Sequence, residues 1–186
     1  MIGRTLKALL LVSLGWLLLA CASAPKVSLD YSPEFRFDAI KSYSIVPPTG
    51  AALAQAGLAT QRIENAVREQ MALLGVAETT PDKADIIVSY GVVTEEKTRV
   101  TTYPEPMPYR CYRCGYGGAW GGATAVDVHE YTQGTLVIDM INPQTKQVVW
   151  RGVGTANISG KKTPEERSAM INAYVAEMFK SLGKRD

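Results

Sequence analysis

Cys111 and Cys114, in the run Cys111-Tyr112-Arg113-Cys114, and the lone histidine, His129, are the side chains best suited to redox or metal chemistry. Three arrangements compete for the cysteines. In an oxidising compartment a local disulfide is the expectation, worth roughly 2 kcal/mol at most because so few residues are closed into its loop. A thioredoxin-like redox pair belongs at a helix N-terminus after a strand, and Gly115-Tyr116-Gly117-Gly118 does not start a helix. Tetrahedral zinc wants four ligands, and beyond Cys111 and Cys114 the chain offers His129 with acids such as Asp127 or Glu130. The reading adopted is no metal and no cofactor, with Cys111, Cys114 and His129 as the alternative ligand set and His129 by itself as a solvated strand-edge residue. Other catalytic patterns are sparse. The chain has no Gly-x-Ser-x-Gly elbow, no phosphate-binding glycine loop and no HExxH pair. The adjacent acids Glu95-Glu96 and Glu165-Glu166 diverge on any strand or helix, so neither pair brackets a substrate bond. The expectation is a protein that is not an enzyme.

Chemistry of a different kind is written at the N-terminus. Arg4 and Lys7 form a basic head, and an apolar run from Ala8 to Leu19 leads to the small residue Ala20. That is signal-peptide grammar, and the run is shorter than the roughly 18 to 20 apolar residues a membrane span requires. The residues Leu18-Leu19-Ala20-Cys21 resemble the bacterial lipobox. The resemblance implies that residues 1–20 are removed and that the Cys21 thiol and its new amine carry acyl chains. Two or more chains hold a protein stably on a bilayer, where one binds only marginally. Ala22 stands where an inner-membrane retention signal would place an aspartate, which by resemblance to enterobacterial sorting sends the protein to the periplasmic face of the outer membrane.

Composition sets further limits. With 46% hydrophobic and 20% charged residues in 186, the chain can bury a sizeable core and is neither disordered nor collagen-like. Lys plus Arg number 20 and Asp plus Glu 18, so loss of Arg4 and Lys7 leaves a formally neutral mature chain. Nucleic acid is excluded as an expected partner, because it would want a concentrated basic face.

The elements that must position these residues follow from periodicity. Val27, Leu29 and Tyr31 alternate as a first strand only five residues after Cys21, so residues 22–26 form a tether reaching about 15 to 20 Å. Ser42 to Val46 is a second strand, ended by Pro47-Pro48. Ile63, Val67, Met71 and Leu74 recur at helical spacing and are closed by Gly75. Asp85 to Thr94 reads as a largely buried strand. Gly134 to Ile141 and Gln147 to Thr155 form a hairpin about Pro143. The last helix has Thr163 as N-cap, Pro164 at its first position and Glu166 completing a capping box, followed by an apolar stripe of Met170, Ile171, Tyr174, Val175, Met178 and Leu182. The order β-β-α-β-β-β-α gives an α+β fold: a mixed, mostly antiparallel sheet of about five strands with two helices on one face. The strand-helix-strand succession implies one parallel pair. Residues 27–186 are expected to form a single domain.

Four blocks in this order, Phe37-Asp38-Ala39-Ile40-Lys41-Ser42-Tyr43, Ala84-Asp85-Ile86-Ile87-Val88, Gly134-Thr135-Leu136-Val137-Ile138-Asp139 and Val148-Val149-Trp150-Arg151-Gly152, resemble bacterial lipoproteins that contain the domain of unknown function DUF4136. The similarity covers about residues 27 to 182. It implies an envelope lipoprotein with an α+β domain and brings no catalytic residues. Physically, Trp150 is expected to anchor the core, and Arg151 to face solvent or pair with Asp139 across the hairpin.

One segment stands apart in composition. Residues 97–133 hold Pro104, Pro106 and Pro108, glycines 115, 117, 118, 121 and 122, Trp120 and five of the nine tyrosines. Length without secondary structure inside a compact domain signals a functional loop, and aromatic rings give contact area at low entropic cost. Tyr109, Tyr112, Tyr116 and Trp120 are therefore the candidate surface for an envelope protein or glycan. The competing reading has these rings cover the sheet or flank a β-extension. The expected function is a non-enzymatic interaction module in envelope assembly or maintenance, held at the membrane through lipid on Cys21. The alternative is a lipoprotein binding a metal or small ligand through the Cys111/Cys114 loop.

Overall fold

The computed structural model describes residues 25–48, 57–105, 123–160 and 162–183. Along them run β1 (Val27–Tyr31), a 3-10 turn (Phe37–Ala39), β2 (Ser42–Val46), α1 (Ala59–Leu73), β3 (Ala77–Glu78), β4 (Ile86–Glu105), β5 (Ala123–Ile141), β6 (Val148–Asn157) and α2 (Pro164–Phe179). The fold is α+β, with one six-stranded sheet ordered β1-β6-β5-β4-β2-β3. Its β1-β6, β6-β5 and β5-β4 pairs are antiparallel, while β2 pairs in parallel with both β4 and β3. The parallel pair expected on either side of the first helix is β2 with β4.

The strand count needs correcting from five to six and the order to β-β-α-β-β-β-β-α. The added strand, β3, has two residues, too few to leave a periodic pattern. It exists because the chain leaving α1 is caught by β2: Ala77 N donates to Lys41 O at 3.0 Å and Thr79 N to Tyr43 O at 2.8 Å. Gly75, at φ +74°, makes that exit possible. Its amide donates to Ala72 O and that of Val76 to Met71 O, both at 3.0 Å, which satisfies the last carbonyls of the helix.

Alternation places the core. Val88, Met140 and Trp150 share one register row across β4, β5 and β6, and Tyr90, Ile138 and Gly152 share the next. All are buried, together with Ile63, Val67 and Met71 of α1 and Val175, Met178 and Phe179 of α2. Both helices thus cover this face. The alternate residues Ile87, Ser89, Val137 and Val153 on the other face are only partly covered. Trp150, 1% exposed, packs edge-on to Phe179 with ring centroids 5.7 Å apart, the core anchor expected of it. Phe179 lies four residues after Val175 on the same side of α2, and Leu182 is buried just beyond the helix end.

A second correction concerns residues 97–133. Where a loop was expected, with a β-extension as the competing reading, β4 and β5 pair without interruption from Ile87↔Ile141 to Glu105↔Ala123, as the β-extension has it. β6 reaches only Gln133 on β5, and β2 only Ser89 on β4. Beyond the Glu96↔Thr132 pair the two strands run on as a two-stranded ribbon. Its residues are rich in Thr and Val, which favour strands. Both faces meet solvent, and the alternation it does carry, Val126-Asp127-Val128-His129, is too short to mark a strand of this length. Residues 106–122 lie outside the described set.

Candidate functional site

A cleft of about 440 Å³ lies among the described residues where the ribbon leaves the sheet. Its floor is the sheet surface at Val92, Leu136 and Gly154, and its walls are the first turns of α1 and α2 with Ile158, Ile171 and Tyr174. The capping box fixes where the α2 wall begins. Thr163 Oγ1 accepts from Glu166 N at 3.2 Å, and Glu166 Oε2 accepts from Thr163 N at 2.9 Å. The expected apolar stripe is thereby divided. Val175 and Met178 go into the core, while Met170, Ile171 and Tyr174 remain partly open and face the cleft.

Glycines set how closely α2 approaches. A Cβ on Gly154 would stand 2.6 Å from Tyr174 Cδ1 and 2.7 Å from Met178 Cε. Tyr174 then ties the helix to β6 by donating from its hydroxyl to Thr155 O at 2.7 Å.

Three cations line the same space: Arg62 on α1, Lys162 just before α2, and Arg167 within it. All three are partly buried. Arg62 donates to Ser168 Oγ at 3.1 Å and to Leu58 O at 3.3 Å, and Arg167 donates to Lys162 O at 3.4 Å. These acceptors are neutral, and none of the six ion pairs among the described residues involves these cations. Glu166 is occupied in the cap. Glu165 is exposed at the helix start, where its own amide and the Thr163 hydroxyl hold its carboxyl below the usual range, with Arg62 adding a weaker pull. The cleft therefore combines an apolar floor with three cations that no ion pair among the described residues neutralises, Glu165 acting on Arg62 only weakly. Its residues are scattered over α1, the sheet and α2, and in the sequence only the start of α2 and its apolar stripe pointed toward it.

The ribbon is the second exposed feature. Val100 and Val128 pair directly and Val126 pairs with Thr102, so the three valines share a face; they are 60%, 57% and 58% exposed. On the opposite face Arg99 sits over the Tyr131 ring, 5.6 Å from its centroid. His129 is exposed and pairs with Arg99, on the face that also carries Asp127, whereas Glu130 lies on the valine face. Among the described residues no three His, Cys, Asp or Glu side chains gather as a metal site would require. Cys21, Cys111, Cys114, Tyr109, Tyr112, Tyr116 and Trp120 all lie outside the described residues.

Two of the four sequence blocks meet at the parallel pair. Asp85 Oδ2 accepts from Lys41 N at 3.1 Å, Ser42 N at 2.9 Å and Ser42 Oγ at 2.8 Å, and Asp85 N donates back to Ser42 Oγ at 3.1 Å. The Ser42 hydroxyl and the two amides hold the Asp85 carboxyl below the usual range. Arg151 and Asp139 form the expected cross-strand pair, bidentate at 2.6 and 2.7 Å, on the sheet face away from the helices. Both clusters are structural: each locks strand register rather than facing a cavity.

No curated protein matches this chain. Among solved structures, a PDZ domain protein from Parabacteroides distasonis superimposes over 87% of the chain with a TM-score of 0.55 at 7% identity. The chain spans 36% of that protein's length, and the likeness is one of fold. A PelC dodecamer from Paraburkholderia phytofirmans gives 0.47 at 15% identity over 87% of this chain and 99% of that one. A DUF4136 family protein from Bacteroides thetaiotaomicron gives 0.46 at 16% over 86% and 96%. The family description itself, a domain of unknown function, matches residues 27–182, from the first residue of β1 to the buried Leu182 after α2, and so the chain belongs to the DUF4136 family.

Proposed function

We propose that this protein is a lipoprotein, anchored by acyl chains on Cys21 to the periplasmic face of the outer membrane, whose domain is a non-enzymatic module binding a protein or glycan in envelope assembly or maintenance. The observation that carries the reading is Leu18-Leu19-Ala20-Cys21, placed after a basic head and an apolar run and followed by only five residues before β1 begins at Val27. So short a tether keeps the domain close to the bilayer.

The ribbon supports a binding role over a catalytic one. A two-stranded hairpin is marginal by itself in water, and this one displays three valines with edges open to further pairing. Surfaces of this kind are liabilities unless something covers them. The ribbon also leads directly into residues 106–122, which hold Tyr109, Tyr112, Tyr116 and Trp120.

Two measurements test the proposal. Mass spectrometry of the membrane-extracted protein should find an N-terminal peptide that begins at an acylated Cys21; an intact or conventionally cleaved N-terminus overturns the anchor. Crosslinking in intact cells should capture a defined envelope partner that is lost when residues 104–124 are deleted. Unchanged capture by the folded deletion variant would remove the loop from the binding surface.

A further inference from the structure

We infer that the cleft between α1, α2 and the sheet is a binding site for a single-chain amphiphile with an anionic head, of the fatty-acid class. The inference goes beyond the interaction reading and uses a different surface. Only the notion that the ligand comes from the adjacent membrane rests on the lipid anchor.

Size and lining select the tail. Ligand sites commonly measure about 300–1,000 Å³ and are mostly apolar, and this cleft has about 440 Å³. At roughly 30 Å³ per methylene, close to a water's share of liquid volume, it takes one alkyl chain and falls short of two. Val92, Leu136, Ile158, Ile171 and Tyr174 present apolar surface to such a chain. Gly154 leaves that floor low, since it has no side chain to project from β6.

Charge selects the head. Arg62, Lys162 and Arg167 come from three separate places in the chain, yet all line this one space and none is in an ion pair among the described residues. The first turns of α1 and α2 both border the cleft, so the positive ends of two helices add to the same field. A partly buried guanidinium held only by neutral acceptors is poised to bind a carboxylate, which it meets with paired donors. A neutral alkyl group, a sugar or a cation would leave that charge uncompensated.

Position supplies the source. Thr155 N donates to Lys26 O at 3.4 Å and Val27 pairs with Gly154, so the chain enters the domain beside the cleft floor. Cys21 is five residues before Lys26, within about 15 to 20 Å of extended chain. A membrane-held Cys21 would keep the cleft within reach of the bilayer.

The test uses the full mature chain, prepared from membranes and reconstituted in nanodiscs of phosphatidylcholine. A palmitic acid carrying a diazirine in its chain is photolysed with it, and adducts are mapped by peptide mass spectrometry. Adducts are expected on the peptides that contain Ile158, Met170 and Tyr174, competed by unlabelled palmitate but not by hexadecanol at the same concentration. Replacing both arginines, Arg62→Gln with Arg167→Gln, should weaken labelling roughly tenfold or more, as for a lost hydrogen bond to a charged group. Circular dichroism and a thermal melt check that this variant is folded, and the hexadecanol competition decides the question in the parent protein if it is not. Absence of adducts on those peptides, or equal competition by hexadecanol, overturns the inference. So does labelling confined to Cys21→Ala, because the cleft would then be filled by the protein's own acyl chain. Carboxylate-selective labelling of a protein found to lack acyl groups on Cys21 would uphold the site and remove the anchor.

Discussion

Asp85 shows how one side chain can fix a register that no local pattern encodes. Its carboxylate gathers two backbone amides and the Ser42 hydroxyl at the start of β2, 43 residues away in sequence, so the first rung of the parallel pair is set by a polar cluster rather than by apolar burial. Because its pKa is lowered on folding, the carboxylate stabilises the fold above the unfolded value of about 3.9, and this contribution is lost as pH falls from there through the lower folded value. Asp85→Asn should therefore melt below the parent at neutral pH, and the gap should close as pH falls below about 4. Asp38 and Glu165 are also lowered but are common to both proteins, so their effects cancel in the comparison. Thermal melts from neutral pH to about pH 2.5 check this, and a gap that stays constant would refute the assignment. Asp85 and Ser42 were both visible within the family-like blocks, but their partnership was not, since a spacing of that length carries no periodic signal.

At the scale of elements, local chemistry was legible and close approach was not. The capping box of α2, the glycine stop of α1 and the β5-β6 turn could all be read directly. In that turn Asn142 Oδ1 accepts from Gln144 N and Thr145 N, so each signal was complete within a few residues. The seating of α2 on β6 instead depends on Gly152 and Gly154, which look like ordinary strand glycines until the helix is placed over them. A Cβ at Gly152 would stand 2.7 Å from Trp150 Cη2 and 3.0 Å from Met178 Sδ. Gly152→Ala should cost about 1–3 kcal/mol through overpacking. Gly91→Ala, on the uncovered face with nothing within 4 Å, should be neutral or gain up to about 1 kcal/mol from the unfolded state. Urea denaturation of the two variants tests the contrast, and equal losses would mean that strand propensity, not helix approach, governs both sites.

For the whole molecule the question is which parts hold the fold and which are displayed by it. Among the described residues, none between 97 and 131 belongs to the buried core. Joining Glu96 to Thr132 through Asn-Gly, a dipeptide suited to a tight hairpin, should leave stability within about 1 kcal/mol of the parent, since loop-closure entropy changes only by about 0.6 kcal/mol per doubling of length. Calorimetry of the shortened chain checks this; a collapse of the transition would show that the ribbon is part of the folding unit. The sequence by itself determined the charge count, the helices with their stop and cap signals, and the α+β class, because each depends on residues within a turn or two of one another or on simple counts. Tertiary structure decided the two-residue β3, the extension of β4 and β5 into a ribbon, and the cleft. β3 exists only through pairing with β2, and the ribbon pairs two solvent-exposed strands whose alternation is confined to Val126-Asp127-Val128-His129. The cleft assembles Arg62, Leu136, Gly154 and Tyr174 from four separate elements. Such a site is defined by distances across the fold, and those exist only once the chain has closed on itself.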